Sequence, residues 1–317
     1  VTPMRVFVTG GTGFVGQQLV AALVARGDRV TVLSRSTARA RQTLGDEVDC
    51  IEGNSALGGD WQQQVSGHDA VVNLAGQAIG GKRWNARYKQ ILTDSRVETT
   101  RYVAEALEAA SERPKVLVSA SGTDYYPFDV DLDAAGLADL EDDVAVTESA
   151  RPGDSFLARL CRSWEAEAMC AVALGVRVVC MRSGVVLGDQ GPLQQMAKPF
   201  RFLLGGKLGK GRQWFSWIHL DDAVAGYVFA LDRSDVTGAV NLVAPGAVRN
   251  VELTRALAKA LHRPAIMPVP TFALKLALGE FHEYLVHGRR VVPEVLVDAG
   301  FEFRYPDIAV ALASVYG

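Results

Sequence analysis

The sequence predicts an α/β fold: a doubly wound parallel sheet covered by helices on both faces, followed by a smaller C-terminal lobe. Three observations carry this expectation. Short β-branched runs alternate with longer stretches of helical period as far as Met181, and a glycine-dense turn joins the first run to the first helical stretch. After Arg182 the alternation stops, and glycine and proline cut the chain into shorter pieces. Strands that are apolar throughout and separated by helices pair in parallel, buried on both faces, with right-handed crossovers.

The elements follow in order. Residues 4–9 read as the first strand, and residues 14–26 place Val15, Leu19, Ala22, Leu23 and Ala25 on one helical face. Residues 30–33 form a second strand, 49–51 a weak third and 70–74 a fourth. A long helix over 88–110, a fifth strand over 115–119, a helix over 156–174 and a sixth strand over 176–181 complete the regular part. Beyond it, 193–204 reads as helix and Gly205, Gly206, Gly209 and Gly211 as loop. A helix over 221–231 and a strand over 239–243 return to the sheet edge, and Pro264, Pro268, Pro270, Pro293 and Pro306 divide the remainder. The expected division is therefore a nucleotide-binding domain of residues 1–183, joined by 217–243, and a substrate lobe of 184–317 with a small terminal unit at 265–317. Residues 128–146 read as a solvated acidic insertion, and Phe272 with Leu274 to Leu278 as core rather than membrane contact.

At 317 residues, with 49% hydrophobic and 22% charged residues, the chain buries a core without staples. Its 33 Lys and Arg against 36 Asp and Glu create no global field that would gather polyanions, so neither nucleic acid nor membrane is expected as a partner. Cys50, Cys161, Cys170 and Cys180 form no C-x-x-C pair and read as buried thiols in a reducing compartment. No signal peptide precedes the first strand and no apolar run reaches the roughly 18 residues of a membrane span, so a cytoplasmic location is expected.

Val8-Thr9-Gly10-Gly11-Thr12-Gly13-Phe14-Val15-Gly16 follows a strand and opens a helix, the context that G-x-G-x-x-G requires. Its glycines permit a tight turn, close approach of backbone N–H groups to a pyrophosphate, and close packing of helix on strand. Gly10, Thr12, Gly13, Phe14, Val15 and Gly16 are thus expected to hold a dinucleotide. At the end of the second strand stands Ser34-Arg35-Ser36 instead of the carboxylate that accepts a ribose 2'-hydroxyl, and Asp28 lies at the strand's other end. A guanidinium offers bidentate bonds to a 2'-phosphate, so NADP(H) is expected over NAD; Arg39 and Arg41 either add charge nearby or are only solvated helix residues. Leu74, Ala75 and Gly76 end the fourth strand with a tip on which a cofactor ribose fits.

These motifs resemble the short-chain dehydrogenase/reductase superfamily in its extended, epimerase-like form. Besides the glycine turn, the likeness rests on Asn73-Leu74-Ala75-Gly76, on Ser119-Ala120-Ser121 followed by Tyr125-Tyr126, and on Trp217-Ile218-His219-Leu220-Asp221-Asp222. Gly81-Lys82-Arg83-Trp84, residues 95–100, Trp164-Glu165, Arg182-Ser183-Gly184-Val185-Val186-Leu187-Gly188, residues 209–213 and residues 300–303 narrow it to an atypical epimerase-like subfamily of the YfcH type. The resemblance implies a Rossmann-like fold and NADP(H) as cofactor; a small polar substrate at the junction of the lobes is a separate expectation of the enzyme reading. The resemblance places Arg96, Ser119, Arg182, Gly184, Val185 and Val186 beside the cofactor, and Ser121 at the superfamily's catalytic serine.

The superfamily's Tyr-x-x-x-Lys pair, which exchanges a proton while hydride moves, has no counterpart: none of the eight tyrosines has lysine four residues on. Ser121, Tyr125 and Tyr126 are the candidates for polar chemistry. Ser121 alternatively caps the next turn, the tyrosines alternatively wall the pocket, and Arg96 alternatively lies on the surface near Glu98. Two functions follow: an NADP-dependent oxidoreductase or epimerase working without the usual pair, or a non-catalytic NADP(H)-binding sensor or interaction protein. His282-Glu283 with His287 misses H-E-x-x-H by one residue, because Val286 stands where the second histidine belongs, so no metal site is expected.

Overall fold

The computed structural model describes residues 2–80, 82–127 and 144–317. Its centre is a seven-stranded sheet built from β1 (Arg5–Thr9), β2 (Arg29–Ser34), β3 (Asp49–Glu52), β4 (Ala70–Asn73), β5 (Val116–Gly122) and the strands Arg177–Ser183 and Gly238–Leu242. The spatial order is Gly238–Leu242, Arg177–Ser183, β5, β4, β1, β2, β3, and every pairing is parallel. The predicted Rossmann-like doubly wound sheet with a smaller C-terminal region is therefore the observed fold. The order reverses between β1 and β4, which opens a crevice at the carboxyl ends of those strands.

Alternation along the strands explains the two cores. Val6 and Val8 of β1 point to one face, where they pack with Leu19 and Leu23 of α1 (Phe14–Ala25) and with Val224 and Tyr227 of the helix Leu220–Asp232. Phe7 points to the other, against Trp61 and the face of the helix Ala86–Ala109 that carries Val103 and Leu107. Arg177 ties sheet to helix by donating to the carbonyls of Ala230, Leu231 and Val236, the first two in the last turn of Leu220–Asp232.

Beyond Ser183 the chain leaves the main sheet. Val185–Leu187 pairs in parallel with Trp217–His219, and a separate core gathers Leu193, Trp217, Leu253, Leu257 and Leu312. The helices Asn250–Ala260 and Ile308–Tyr316 pack there, and neither was foreseen. Arg39 and Arg41 do lie on a largely solvated helix, Thr37–Leu44, whose bounds the sequence did not mark: it buries only Ala40, so no apolar period shows, and the N-cap Ser36 sets its start. Three readings need comment. Cys161 and Cys180 are buried as expected, but Cys50 is half-buried and Cys170 is exposed. Leu274 is buried as expected, but Phe272 and Leu276 are 75% and 77% exposed, because only one side of the helix Thr271–Leu278 meets protein. Residues 128–143 of the acidic insertion lie outside the described residues, while Ala145–Val146 pairs with Arg290–Val291. Among the described residues no helix is long and apolar enough to cross a membrane.

Candidate functional site

The glycine turn sits where β1 feeds α1. Gly10 has φ +71, and a Cβ there would lie 2.7 Å from Leu74 and Ala75 backbone atoms, so the turn presses against the tip of β4. A Cβ on Gly16 would lie 2.2 Å from the Gly10 carbonyl oxygen. Gly13 differs: it is exposed, and its Cβ would meet only the Gly10 oxygen at 3.2 Å. Gly13 is also the N-cap of α1, with no side chain capping the helix, so the first N–H groups face an open cradle that suits a pyrophosphate. Phe14 closes the far side by packing on Gly188 and Gly191, whose Cβ positions lie 2.9 Å from its ring.

Ser34 exchanges hydrogen bonds with the backbone of Ser36 and shapes the loop after β2. Arg35 projects from that loop, exposed and without a protein partner among the described residues. Asn73 sits buried beneath the tip, accepting from Thr9 at 2.6 Å and donating to Thr100 at 2.8 Å and to Ser119 at 3.2 Å. This hub makes Ser119 part of the support for β4 and β5. Arg96 is buried under Gly76, donates to the Gln77 and Leu92 carbonyls, and lies 5.3 Å over the Trp164 ring. Its guanidinium therefore braces Leu74 to Gly76 from below.

Ser121, Tyr125, Tyr126 and Arg182 come together around Glu165, which the helix Phe156–Met169 presents to the end of β5. Arg182 donates through Nε and Nη2 to the two Glu165 oxygens, each at 2.7 Å, and Ser121 donates to Glu165 Oε1 at 2.6 Å. Arg182 Nη1 donates to the Tyr126 hydroxyl at 2.8 Å, which donates to Asn241 Oδ1 at 2.7 Å. The Arg182 guanidinium also lies flat on Tyr125, 3.4 Å from its ring centre. Burial pushes the Tyr126 phenol up to about 12, so it keeps its proton. Gly184 lets the chain turn out of this network: a Cβ there would stand 2.7 Å from the Ser216 carbonyl oxygen, and Val185 and Val186 continue into the second sheet.

Asp124 and Glu165 are the groups that sequence reasoning passed over as site residues. Asp124 lies in the turn after β5, and its carboxylate forms no hydrogen bond among the described residues. A Cβ on Gly122 would be 3.7 Å from both Asp124 Oδ2 and Cys161 Sγ, so acid and thiol flank the strand tip. Desolvation raises the Asp124 pKa to about 6 against the opposing pull of Arg96. Burial, with Asp124 and Glu165 nearby, pushes the Cys161 thiol upward, which removes it as a nucleophile. The signal for Asp124 in the sequence was its place between Ser121 and Tyr125.

An uncapped glycine turn at the crevice of a parallel sheet, with a serine and two tyrosines at the next strand tip, defines an extended short-chain dehydrogenase/reductase-type nucleotide-binding protein. The chain belongs to the NAD dependent epimerase/dehydratase family, whose model matches residues 6–243, and residues 269–315 match a domain of unknown function, DUF1731. It is 35% identical to the epimerase family protein YfhF of Bacillus subtilis over 98% of both chains. It is 39% identical to the chloroplastic SDR39U1 homolog of Arabidopsis thaliana, covering 98% of this chain and 86% of that one. The crystal structure of human SDR39U1 with NADPH superposes with a TM-score of 0.83 at 32% identity, covering 99% of each chain. Together these place the chain among the atypical epimerase-like short-chain dehydrogenases/reductases.

Proposed function

We propose that the chain is an NADP(H)-dependent, oxidoreductase-like or epimerase-like enzyme of the YfcH kind. It acts on a small polar substrate between the sheet's carboxyl edge and the C-terminal lobe. In this reading residues 1–183 with 217–243 hold the nucleotide and residues 184–317 the substrate. The uncapped turn, the free Arg35 and the NADPH of the human relative support the choice of cofactor. When bound, NADP(H) supplies or accepts a hydride. The backbone of Gly10 to Gly16 holds its pyrophosphate, Arg35 its 2'-phosphate, and the Leu74 to Gly76 tip its ribose.

The observation that carries the catalytic reading is Asp124, a carboxyl with no hydrogen-bond partner among the described residues, beside the strand tip that lacks a Tyr-Lys pair. We assign proton exchange with the substrate to Asp124, with Tyr125, the next residue in the turn, as the second candidate. Ser121 and Tyr126 act as positioning residues through Glu165 and Arg182. A non-catalytic NADP(H) sensor is the second reading, favoured by the engagement of both the Ser121 and Tyr126 hydroxyls inside the protein.

The test follows NADPH consumption against a panel of small carbonyl compounds. Asp124→Asn is expected to lower turnover about a hundredfold while leaving NADPH affinity unchanged. Reduction by the native protein should fall as pH rises through about 6, where the carboxyl loses the proton it must give. The stability sign is opposite to that of a salt-bridged acid. The folded state holds this proton more tightly than the unfolded chain, so the group favours folding below its unfolded pKa and loses that advantage as pH rises through about 6. Asp124→Asn should therefore melt no lower than the native protein at neutral pH. Turnover that survives the substitution would overturn the role of Asp124, and tight NADPH binding with no turnover on any carbonyl would favour the sensor.

Cofactor choice has its own check. Arg35→Asp is expected to weaken NADPH binding by roughly tenfold to a hundredfold and NADH binding far less, since a charged hydrogen bond contributes about 1.5–3 kcal/mol. Equal losses for both nucleotides in a titration would remove Arg35 from the 2'-phosphate site.

A further inference from the structure

The C-terminal region holds a separation of charge that the overall balance conceals. Residues 190–220 contain five Lys or Arg and residues 253–279 contain four, and neither stretch has a single Asp or Glu, in a chain of net charge -3. All nine cations are exposed, and none is in an ion pair among the described residues. The two stretches form one surface: Met267 N–H donates to Gly205, Val269 N–H to Lys207 and Gly209 N–H to Val269, at 3.1, 2.9 and 2.9 Å.

The same surface carries the apolar side chains that the fold leaves out. Phe202 to Leu204, Ile266, Met267, Phe272 and Leu276 make up half of the exposed large hydrophobic residues described, and Phe202, Ile266, Phe272 and Leu276 are each more than 70% exposed. Leu203 adopts φ +61, one of two non-glycine residues described with positive φ, and the other, His262 at +52, lies in the second stretch. A left-handed leucine costs conformational energy, and here it holds three consecutive apolar residues outward. A half-open pocket of about 250 Å³ is lined by Lys207, Val251, Arg255, Ile266 and Pro268.

We propose that this face docks on an anionic lipid surface, with Lys207 and Arg255 at the phosphate level and Phe202 to Leu204, Phe272 and Leu276 in the acyl boundary. Charge complementarity selects that occupant. A second copy would set Lys207, Arg255 and the cations around them against their own copies, which like-charge repulsion opposes. Apolar residues that stand out from a loop and a helix face suit a fluid layer, which needs no shaped partner, and their cationic rim suits anionic headgroups at about 1 kcal/mol per Lys or Arg. Since no described helix crosses a membrane, the attachment is peripheral.

The experiment is co-sedimentation of the full chain with vesicles of phosphatidylcholine alone or with about one third phosphatidylglycerol. Binding is expected only to the anionic vesicles, and it should weaken as salt shortens the Debye length. Phe272→Ser/Leu276→Ser and Lys207→Glu/Arg255→Glu should each weaken it at least about tenfold with circular dichroism and NADPH affinity unchanged. Absence of binding to anionic vesicles overturns the proposal, as does binding indifferent to Phe272→Ser/Leu276→Ser, which would be adsorption by charge alone. Self-association in ultracentrifugation that this pair abolishes, without vesicle binding, would give the face to a second copy. Capture of polyglutamate with the same dependence, again without vesicle binding, would give it to an acidic protein.

Discussion

Arg182→Met is expected to destabilise the protein by about 3–5 kcal/mol in chemical denaturation, because it leaves Glu165 buried and without its cation. The Arg182 and Glu165 side chains are only 5% and 11% exposed, and their bidentate pair is the centre to which Ser121, Tyr125 and Tyr126 attach. Removing both charges should be milder than removing one. Arg182→Met/Glu165→Met is therefore expected to recover a large part of the loss, the non-additivity that marks a coupled pair. A single-variant cost under about 1 kcal/mol, the range of exposed ion pairs, would mean that water already enters the network.

Gly13→Val and Gly16→Ala should both abolish NADPH binding, by more than about a hundredfold, but for different reasons. At Gly16 the new Cβ lies 2.2 Å from the Gly10 oxygen and 2.8 Å from Gly11 Cα, so the backbone of the turn must move and the melting temperature should fall. At Gly13 the side chain enters the open cradle, and binding should vanish with the fold nearly intact. Gly27→Ala serves as the control: with φ +92 and nothing within 4 Å, it should cost about 1–2 kcal/mol of stability and leave affinity alone. Full NADPH binding by Gly13→Val would mean that the pyrophosphate does not lie on this turn.

The glycine turn was legible because its physics is local: seven consecutive residues, a strand before and a helix after, already contain the steric argument. The sheet was legible for a related reason, since valine and isoleucine mark strands buried on both faces. β5 shows the limit. Its β-branched run ends early, and the expected strand stopped at Ser119, whereas the observed one continues to Gly122 in register with Arg182 and Ser183. That extension aims Ser121 at Glu165, which lies 44 residues away in the chain, and Arg182 is a further 17 on. No spacing rule connects three such positions, so the partner that accepts the Ser121 hydrogen bond could be quoted from the sequence but not given a role. Asp124 was passed over for the opposite reason, because its importance lies in what it does not touch.

The strand Gly238–Leu242 is seventh in the sheet but pairs beside Arg177–Ser183, with the chain between them running through the C-terminal region. On a ribosome this imposes an order. When Ser183 has emerged, six strands can assemble, yet the sixth presents an unpaired edge until about 60 further residues have been made, roughly 3–12 s of elongation. Arg177 waits as well, since the carbonyls it holds belong to residues 230–236. The nascent protein thus passes through a window in which its nucleotide turn is complete and its sheet is adhesive. Nucleotide bound at that stage would act on the half-made chain as a folding ligand, ahead of the last strand of the sheet.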